Sequence, residues 1–400
     1  MSVAATIANP PRRFALFTRL LNDNWSSGSL TVILPHGREF KLTGRAPGIA
    51  ATLKVNDYRL IDRLFSHGLV GAGESYMAGD WDTPDLSALL LAFSNNLDRL
   101  NDMARGNRLV RWAMSVRHWL NANTRAGSKR NIEAHYDLGN DFYGLWLDDS
   151  MTYSSARFDT GAVTLAEAQA AKYAALARLI DLRPGEHVLE IGCGWGGFAE
   201  YAAGRIGARV TGVTLSPAQL DFARRRIARA GLADKVDLQL VDYRDVRGQF
   251  DKIASIEMFE AVGEAYWPSY FRQVHDLLKP GGLAGLQIIT IREDLFETYR
   301  KRADFIQRYI FPGGMLPSAP RLESEIAAAG LALRAKELFS EDYGRTLRAW
   351  RDRFEAAKAG VEALGFDERF CRMWSFYLAY CEAGFRTRRT EVGQWVAARA

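Results

Sequence analysis

The run Val188-Leu189-Glu190-Ile191-Gly192-Cys193-Gly194-Trp195-Gly196-Gly197 leads an apolar strand pattern into a glycine-rich turn, and a helix follows from Phe198. Glycines there let the backbone turn tightly and approach a ligand at the carboxyl end of a sheet, where open α/β folds bind cofactors. An NAD site expects an acidic residue about 20 positions on, at the end of the second strand; Thr211 to Ser216 hold none. The phosphate-loop pattern Gly-x-x-x-x-Gly-Lys-Ser/Thr is also missing, which sets nucleoside triphosphates aside. Glu260, a carboxylate just past the fourth predicted strand, can cap the helix behind it. His135 reads as a supporting polar group or a buried histidine. Cys193, Cys371 and Cys381 are too few and too irregularly spaced for a disulfide framework or a metal site, so no metal is expected. Cys381, on a predicted helix, is either a reactive thiol or packing.

These residues need a scaffold. Strand-like runs at His187 to Ile191, Arg209 to Leu215, Val236 to Val241, Lys252 to Met258 and Leu283 to Ile291 alternate with helical stretches. The alternation predicts an α/β fold with a doubly wound, mostly parallel sheet covered by helices on both faces. The apolar runs Ile253 to Ile256 and Leu286 to Ile289 suit buried central strands. Ahead of this core, residues 1–120 form a smaller mixed domain with short strands around Leu30 to Leu34 and Phe40 to Leu42, then helices. Gly71 to Trp81 reads as a structured turn before a helix from Asp85. The small, polar stretch 121–130 suits a linker, leaving 131–400 as the second domain.

The 400 residues, 48% hydrophobic and 25% charged, exclude collagen-like and disordered classes. Apolar runs such as Ala88 to Phe93 fall far short of the ~20 residues a membrane span needs. The first twenty residues lack an apolar core followed by a small-residue cleavage site, so the expected location is cytoplasmic. Through Arg130 there are 17 basic and 10 acidic residues, leaving 35 and 37 of the totals of 52 and 47 for the rest. This basic front suits an anionic surface. Leu109, Trp112, Ala113, Val116, Trp119 and Leu120 recur at helical spacing with Arg108, Arg111 and Arg117 off the stripe; such a helix can lie in a membrane interface or pack on its own protein. No zinc-finger spacing or aromatic RNA-recognition pattern occurs, so lipid is favoured over nucleic acid.

With Glu190 just before it, the glycine turn resembles the first motif of S-adenosylmethionine (SAM) methyltransferases. Asn131 to Phe142, Met151-Thr152-Tyr153-Ser154-Ser155, the glycine turn, Gly212 to Ser216 with Gln219, Asp242-Tyr243-Arg244-Asp245, Met258-Phe259-Glu260 and Tyr309 to Gly314 together resemble the cyclopropane-fatty-acyl-phospholipid synthases. Gly73 to Trp81 resembles the amino-terminal region of their longer members. The resemblance implies a Rossmann-like class I methyltransferase fold and SAM-dependent alkylation of the double bond in unsaturated acyl chains of membrane phospholipids. It further implies peripheral attachment at the inner membrane surface and, as is common in the family, a homodimer. It places Tyr153, Ser154, Gly192 and Gly194 at the methionine part of SAM, Thr214, Leu215 and Gln219 at the adenosine side, and Tyr243 and Ile256 flanking.

An alkene is a poor nucleophile, and its alkylation leaves a carbocation, so close alignment and exclusion of water are required. Phe259, Tyr309 and Phe311 suit an aromatic tunnel that also stabilises cationic charge, with core packing as the alternative for each. Ring closure needs a base. In the family this is attributed to bicarbonate held by a cysteine, a glutamate, a histidine, a tyrosine and a backbone amide. Motif matching assigns the glutamate to Glu260, the tyrosine to Tyr343 and the amide to Ile289. The cysteine position is Ser155, the histidine position Gln287, and Ala261 follows the glutamate where a histidine is common. Losing an imidazole removes a cation and a proton relay. Methyl transfer is therefore expected, with a cyclopropane or a methyl-branched or methylene chain as product. Two other readings stay open: a SAM- and lipid-binding subunit without turnover, and an amine N-methyltransferase.

Overall fold

The computed structural model describes residues 11–106, 138–158 and 161–400. The interfacial helix pattern, the predicted linker and His135 lie outside the described residues. The chain divides into two compact units. One comprises Met1–Glu133, Asp304–Ile310 and Lys358–Thr387; the other comprises Ala134–Ala303, Phe311–Ala357 and Arg388–Ala400. Two segments from the carboxyl-terminal half thus join the first unit, where the sequence reading has a single uninterrupted boundary.

In the first unit, β1 (Ser27–Ile33), β2 (Glu39–Thr43), β3 (Ala46–Val55) and β4 (Trp81–Asp82) form a sheet ordered β2-β1-β3-β4. Leu30 pairs with Leu42 on one side and Ala51 on the other. Glycine-rich Gly71 to Trp81 forms a helix over Leu69–Met77 instead of the predicted turn. Its glycines serve close packing: a Cβ at Gly73 would lie 2.5 Å from the Phe305 ring. Steric need outweighs the helix-weakening tendency of glycine.

The second unit holds β5 (His187–Ile191), β6 (Arg209–Thr214), β7 (Val236–Leu240), β8 (Phe250–Ile256), β9 (Leu278–Ile291), β10 (Leu331–Leu338) and β11 (Thr390–Arg399). Their order is β10-β11-β9-β8-β5-β6-β7. β5 through β9 are mutually parallel, and β11 runs antiparallel to both β9 and β10. The strand order reverses at β5, so the switch point of the sheet falls where the glycine turn leaves it. Alternate residues face opposite layers. Leu189, Ile253 and Leu286 pack with Phe271, Val274 and Leu322; Val188, Val210 and Ala254 pack with Leu176, Ala199 and Ile227.

The parallel core matches the predicted strands. β10 and β11 extend it, and β11 lacks the alternation that would announce it because Val392 to Ala398 are buried on both faces. The helix Leu165–Leu179 begins at a capping box, with Glu167 N–H donating to Thr164 Oγ1 and Thr164 N–H donating to Glu167 Oε2. Its Leu176 side chain abuts β9 at Gly285, where a Cβ would come within 2.8 Å of Leu176 Cδ1.

Candidate active site

At the end of β5 the chain turns through Gly192 (φ 81°), Gly194 (φ 51°) and Gly196 (φ 81°), a left-handed series that suits glycine. The amides of Gly192 and Cys193 both donate to Val213 O at 2.9 Å, fastening the turn to β6. A Cβ on Gly192 would lie 2.7 Å from Met258 Cγ, so the segment leaving β8 packs directly on the turn. Trp195 Nε1 donates to Asn140 Oδ1 at 2.7 Å, and Asn140 Nδ2 donates to Ala218 O at 3.1 Å. Asn140 thereby links the helix Gly139–Gly144, the turn and the helix Pro217–Arg229. At the end of β6, Thr214 Oγ1 donates to Gln219 Oε1 at 3.2 Å, while Leu215 projects outward, 69% exposed. Tyr153 packs against Tyr143, Trp146, Trp350 and Phe311 with ring centroids 5.3 to 6.3 Å apart. Ile256 ends β8, and half-buried Tyr243 packs edge-on against Tyr270.

This edge fits a SAM-type ligand on its own features. A Cβ at Gly194 would meet no atom within 4 Å, leaving that face of the turn open. Glu190 Oε2 is buried at the strand end without a hydrogen-bond partner, and burial pushes its carboxyl up to about 8. The Lys172 charge acts on it in the opposite sense, and a hydrogen-bond donor, as an ammonium group carries, is what Oε2 lacks.

The cradle residues assemble differently from the expectation. Ser155, Gln287 and Tyr343 do come together, but on Glu257, a residue the sequence reading passed over. Glu257 Oε1 accepts from Ser155 N–H and from Gln287 Nε2, both at 2.8 Å, and Oε2 accepts from Tyr343 OH at 2.6 Å. Its backbone is left-handed (φ 50°), which turns the carboxylate back over the end of the sheet. Burial raises its pKa, against the lowering effect of these donors and of the Lys172 charge. Glu260 Oε1 accepts from Ile289 N–H at 2.6 Å, as the motif match predicts, and its buried Oε2 has no hydrogen-bond partner. Burial first, and the Glu257 charge second, push Glu260 up to about 8. Ser155 contributes its amide; its hydroxyl donates to Ala156 O.

Behind Glu257 runs a buried polar chain. Gln287 Oε1 accepts from Gln394 Nε2 at 3.1 Å, the two glutamines lying opposite one another on β9 and β11. Arg157 reaches toward Gln394 and pairs with Glu337 at 2.7 Å. Lys172, fully buried, donates to Ser154 Oγ at 2.6 Å, and burial lowers its pKa. Ser154 is thus engaged through its hydroxyl with Lys172. A sequence signal for Lys172 exists: it sits on the apolar stripe of its helix, four residues after Ala168 and four before Leu176. Glu257 offers a weaker one, a charge directly after the buried run Ile253 to Ile256.

The three proposed lining aromatics have different surroundings. Phe311 stays beside Tyr153. Phe259 is 1% exposed and packs among Trp267, Tyr270 and Phe271, a core position. Tyr309 belongs to the first unit, where its hydroxyl donates to Glu74 Oε1 at 2.7 Å. Cys381, also in the first unit, has its thiol pKa raised by burial, the opposite of activation.

A seven-stranded sheet of this order, with a glycine turn at its switch point and polar groups along its carboxyl edge, defines a class I SAM-dependent methyltransferase. The family model for mycolic acid cyclopropane synthetase matches residues 123–395, and the chain belongs to that family of cyclopropane-fatty-acid-synthase-like methyltransferases. It is 40% identical over 399 residues to the tuberculostearic acid methyltransferase UfaA1 of Mycobacterium tuberculosis, covering 96% of this chain and 91% of that protein. It is 35% identical over 386 residues to the cyclopropane-fatty-acyl-phospholipid synthase of Escherichia coli K12, covering 94% of each. The crystal structure of mycolic acid cyclopropane synthase CmaA1 complexed with SAH and CTAB superposes with a TM-score of 0.64 at 31% identity, over 68% of this chain and 98% of that one.

Proposed function

We propose that this enzyme methylates the double bond of unsaturated acyl chains carried by membrane phospholipids. The observation that carries the reading is the pairing, at one sheet edge, of a turn suited to SAM with two partly buried carboxyl groups, Glu257 and Glu260, three residues apart on the segment that touches Gly192. SAM supplies a methyl group on a positively charged sulfur. The chain's own residues orient the reactants: Gly192 and Gly194 admit the ligand, Glu190 offers an unpaired carboxyl oxygen toward its ammonium, and Thr214 and Gln219 face its adenosine side. Tyr153, Trp350 and Phe311 exclude water and present ring faces to developing positive charge. The basic residues that dominate the chain through Arg130 support docking on an anionic lipid surface, with the first unit as the docking element. Among the described residues no helix is long and apolar enough to cross a membrane.

A second product outcome is favoured by one observation. Gln287, where the family pattern has histidine, offers no imidazole to relay a proton, so deprotonation giving a methylene or methyl-branched chain competes with ring closure. Mass spectrometry of lipids from cells fed labelled methionine tests both outcomes. Unsaturated chains should gain one CH2 when the protein is present, and fragmentation separates ring from branch. Lipids with no mass gain would refute the proposal.

A further inference from the structure

Three of the groups expected to hold a bicarbonate ion are already committed to a side chain of the protein. Ser155 N–H, Gln287 Nε2 and Tyr343 OH all donate to the Glu257 carboxylate, and Ile289 N–H donates to Glu260. A free bicarbonate would have to displace these bonds and sit beside two carboxyl groups. The residues present therefore do not fit a separate anion. Glu257 places a carboxylate, with the same planar pair of oxygens, at the point where the cradle converges.

We infer that Glu257 is the built-in base of the reaction, replacing an exogenous anion with a tethered carboxylate. This rests on the proposed methyl transfer to an olefin. In that step the π electrons of the double bond form the new C–CH3 bond, the C–S bond breaks with its pair going to sulfur, and the neighbouring carbon becomes cationic. Glu257 then accepts one proton. From a chain carbon next to the cation, the released C–H pair forms a double bond; from the new methyl group, it closes the three-membered ring, or forms a methylene when the hydrogen of the methylated carbon has first moved with its electron pair to the cation. Charge balances, with the sulfonium charge passing through the carbocation to the proton taken by the carboxylate. No oxidant, reductant or second cofactor is consumed.

Three features suit Glu257 to this work. Its location on the segment packed against Gly192 puts it at the cofactor edge of the sheet. Ser155, Gln287 and Tyr343 fix both of its oxygens, so little motion precedes proton transfer. Burial raises its basicity while Lys172, itself buried nearby, keeps the charged form accessible. A tethered base is also present at high effective concentration, which removes any dependence on dissolved carbon dioxide.

The test uses the purified full chain, SAM and vesicles of unsaturated phosphatidylglycerol in buffer stripped of carbon dioxide, with and without added bicarbonate. Wild type should turn over at the same rate in both. Glu257→Gln should lose roughly 100-fold or more in kcat, the usual range for removing a general base, with SAH affinity by calorimetry unchanged. Glu257→Gly suits the left-handed backbone at this position and opens the cradle; bicarbonate should restore part of its activity. A wild-type rate that collapses without bicarbonate, or a Glu257→Gln enzyme with normal kcat, overturns the inference, and the first measurement requires no variant to fold. Failure of the underlying reading looks different: wild type would add no CH2 to any vesicle under either condition.

Discussion

The carboxyl edge of the large sheet has two halves that solve different problems. Over β5 and β6 the backbone does the work: three left-handed glycines, a turn fastened by two amides to Val213, and a small polar pair, Thr214 and Gln219. Over β8, β9 and β11 side chains do it: Glu257, Gln287, Gln394 and Tyr343 form a connected network with almost every donor committed. The first half can accept only a ligand that tolerates backbone contact, and it is sterically unforgiving. The second half is electrostatically unforgiving, since removing one member strands another in a dry place. The cofactor side thus stays generic to the fold, while in the proposed mechanism the network holds the base.

The sharpest break in that comparison should come from the backbone half. Gly192→Val adds a β-branched side chain at φ 81° and drives its Cβ into Met258. SAH affinity should fall at least tenfold, about 1.4 kcal/mol, because the turn must open to relieve the clash. Calorimetry giving a wild-type Kd would show that the turn is not the cofactor contact. On the network half, Tyr343→Phe removes one of three donors to Glu257 and leaves the aromatic body in place. It should lower kcat about tenfold, about 1.4 kcal/mol, within the range of roughly 1–3 kcal/mol for a lost buried bond, and leave the KM for SAM alone. A change confined to KM would move Tyr343 to substrate binding.

The two halves also differed in how plainly they could be read. The turn at Gly192 and Gly194 was legible because backbone geometry demands glycine at short spacing, whereas Thr214 and Gln219 were named by resemblance alone. Glu260 with Ile289 was legible by motif. Glu257 was not, because its meaning depends on partners 102, 30 and 86 residues away along the chain, at Ser155, Gln287 and Tyr343. A carboxylate behind an apolar strand has no local signature of its partners. The partner of Tyr309 was hidden for a related reason: its segment, 304–310, folds with the first unit, where Glu74, 235 residues away along the chain, accepts from its hydroxyl. Strand β11 was missed because residues buried on both faces carry no period-two pattern, and β10 because it is an edge strand in which only Leu331 is buried.

A smaller effect separates Gln287 and Ser155, two of the three positions that depart from the family pattern. Gln287 uses its amide in three directions, donating to Glu257 and to Ser155 O while accepting from Gln394. An imidazole cannot reproduce that set in one ring orientation. Gln287→His should therefore cost about 1–3 kcal/mol in urea unfolding, the penalty of leaving a buried partner unsatisfied. Ser155→Cys should cost less, since Ser155 serves Glu257 through its amide. Product analysis of the double variant then asks whether ring formation rises. Equal stability of Gln287→His and wild type would mean that the network is looser than its geometry indicates.

A remaining effect is the pH dependence of stability in the cofactor-free protein, and its sign follows from Glu260 and Glu190. Burial pushes both from the ordinary value of 4.5 to about 8. Between those values the folded state holds protons that the unfolded chain has released, so stability is fully present below about pH 4.5 and is lost as pH rises through about 8. Lys172, whose pKa burial lowers, acts oppositely above neutrality, because there the unfolded chain binds the proton that the folded state rejects. Carboxylates in exposed ion pairs, such as Asp251 with Lys279, have lowered pKa values and add stability mainly at the acid end, as they ionise. The downward slope should therefore be clearest between roughly pH 5 and 7. Glu260→Gln keeps the shape and removes the titration, so its urea midpoint should fall less steeply over that range. Superimposable slopes for the two proteins would show that Glu260 is ionised in the folded state, and the comparison between the halves would lose its second proton-holding carboxyl.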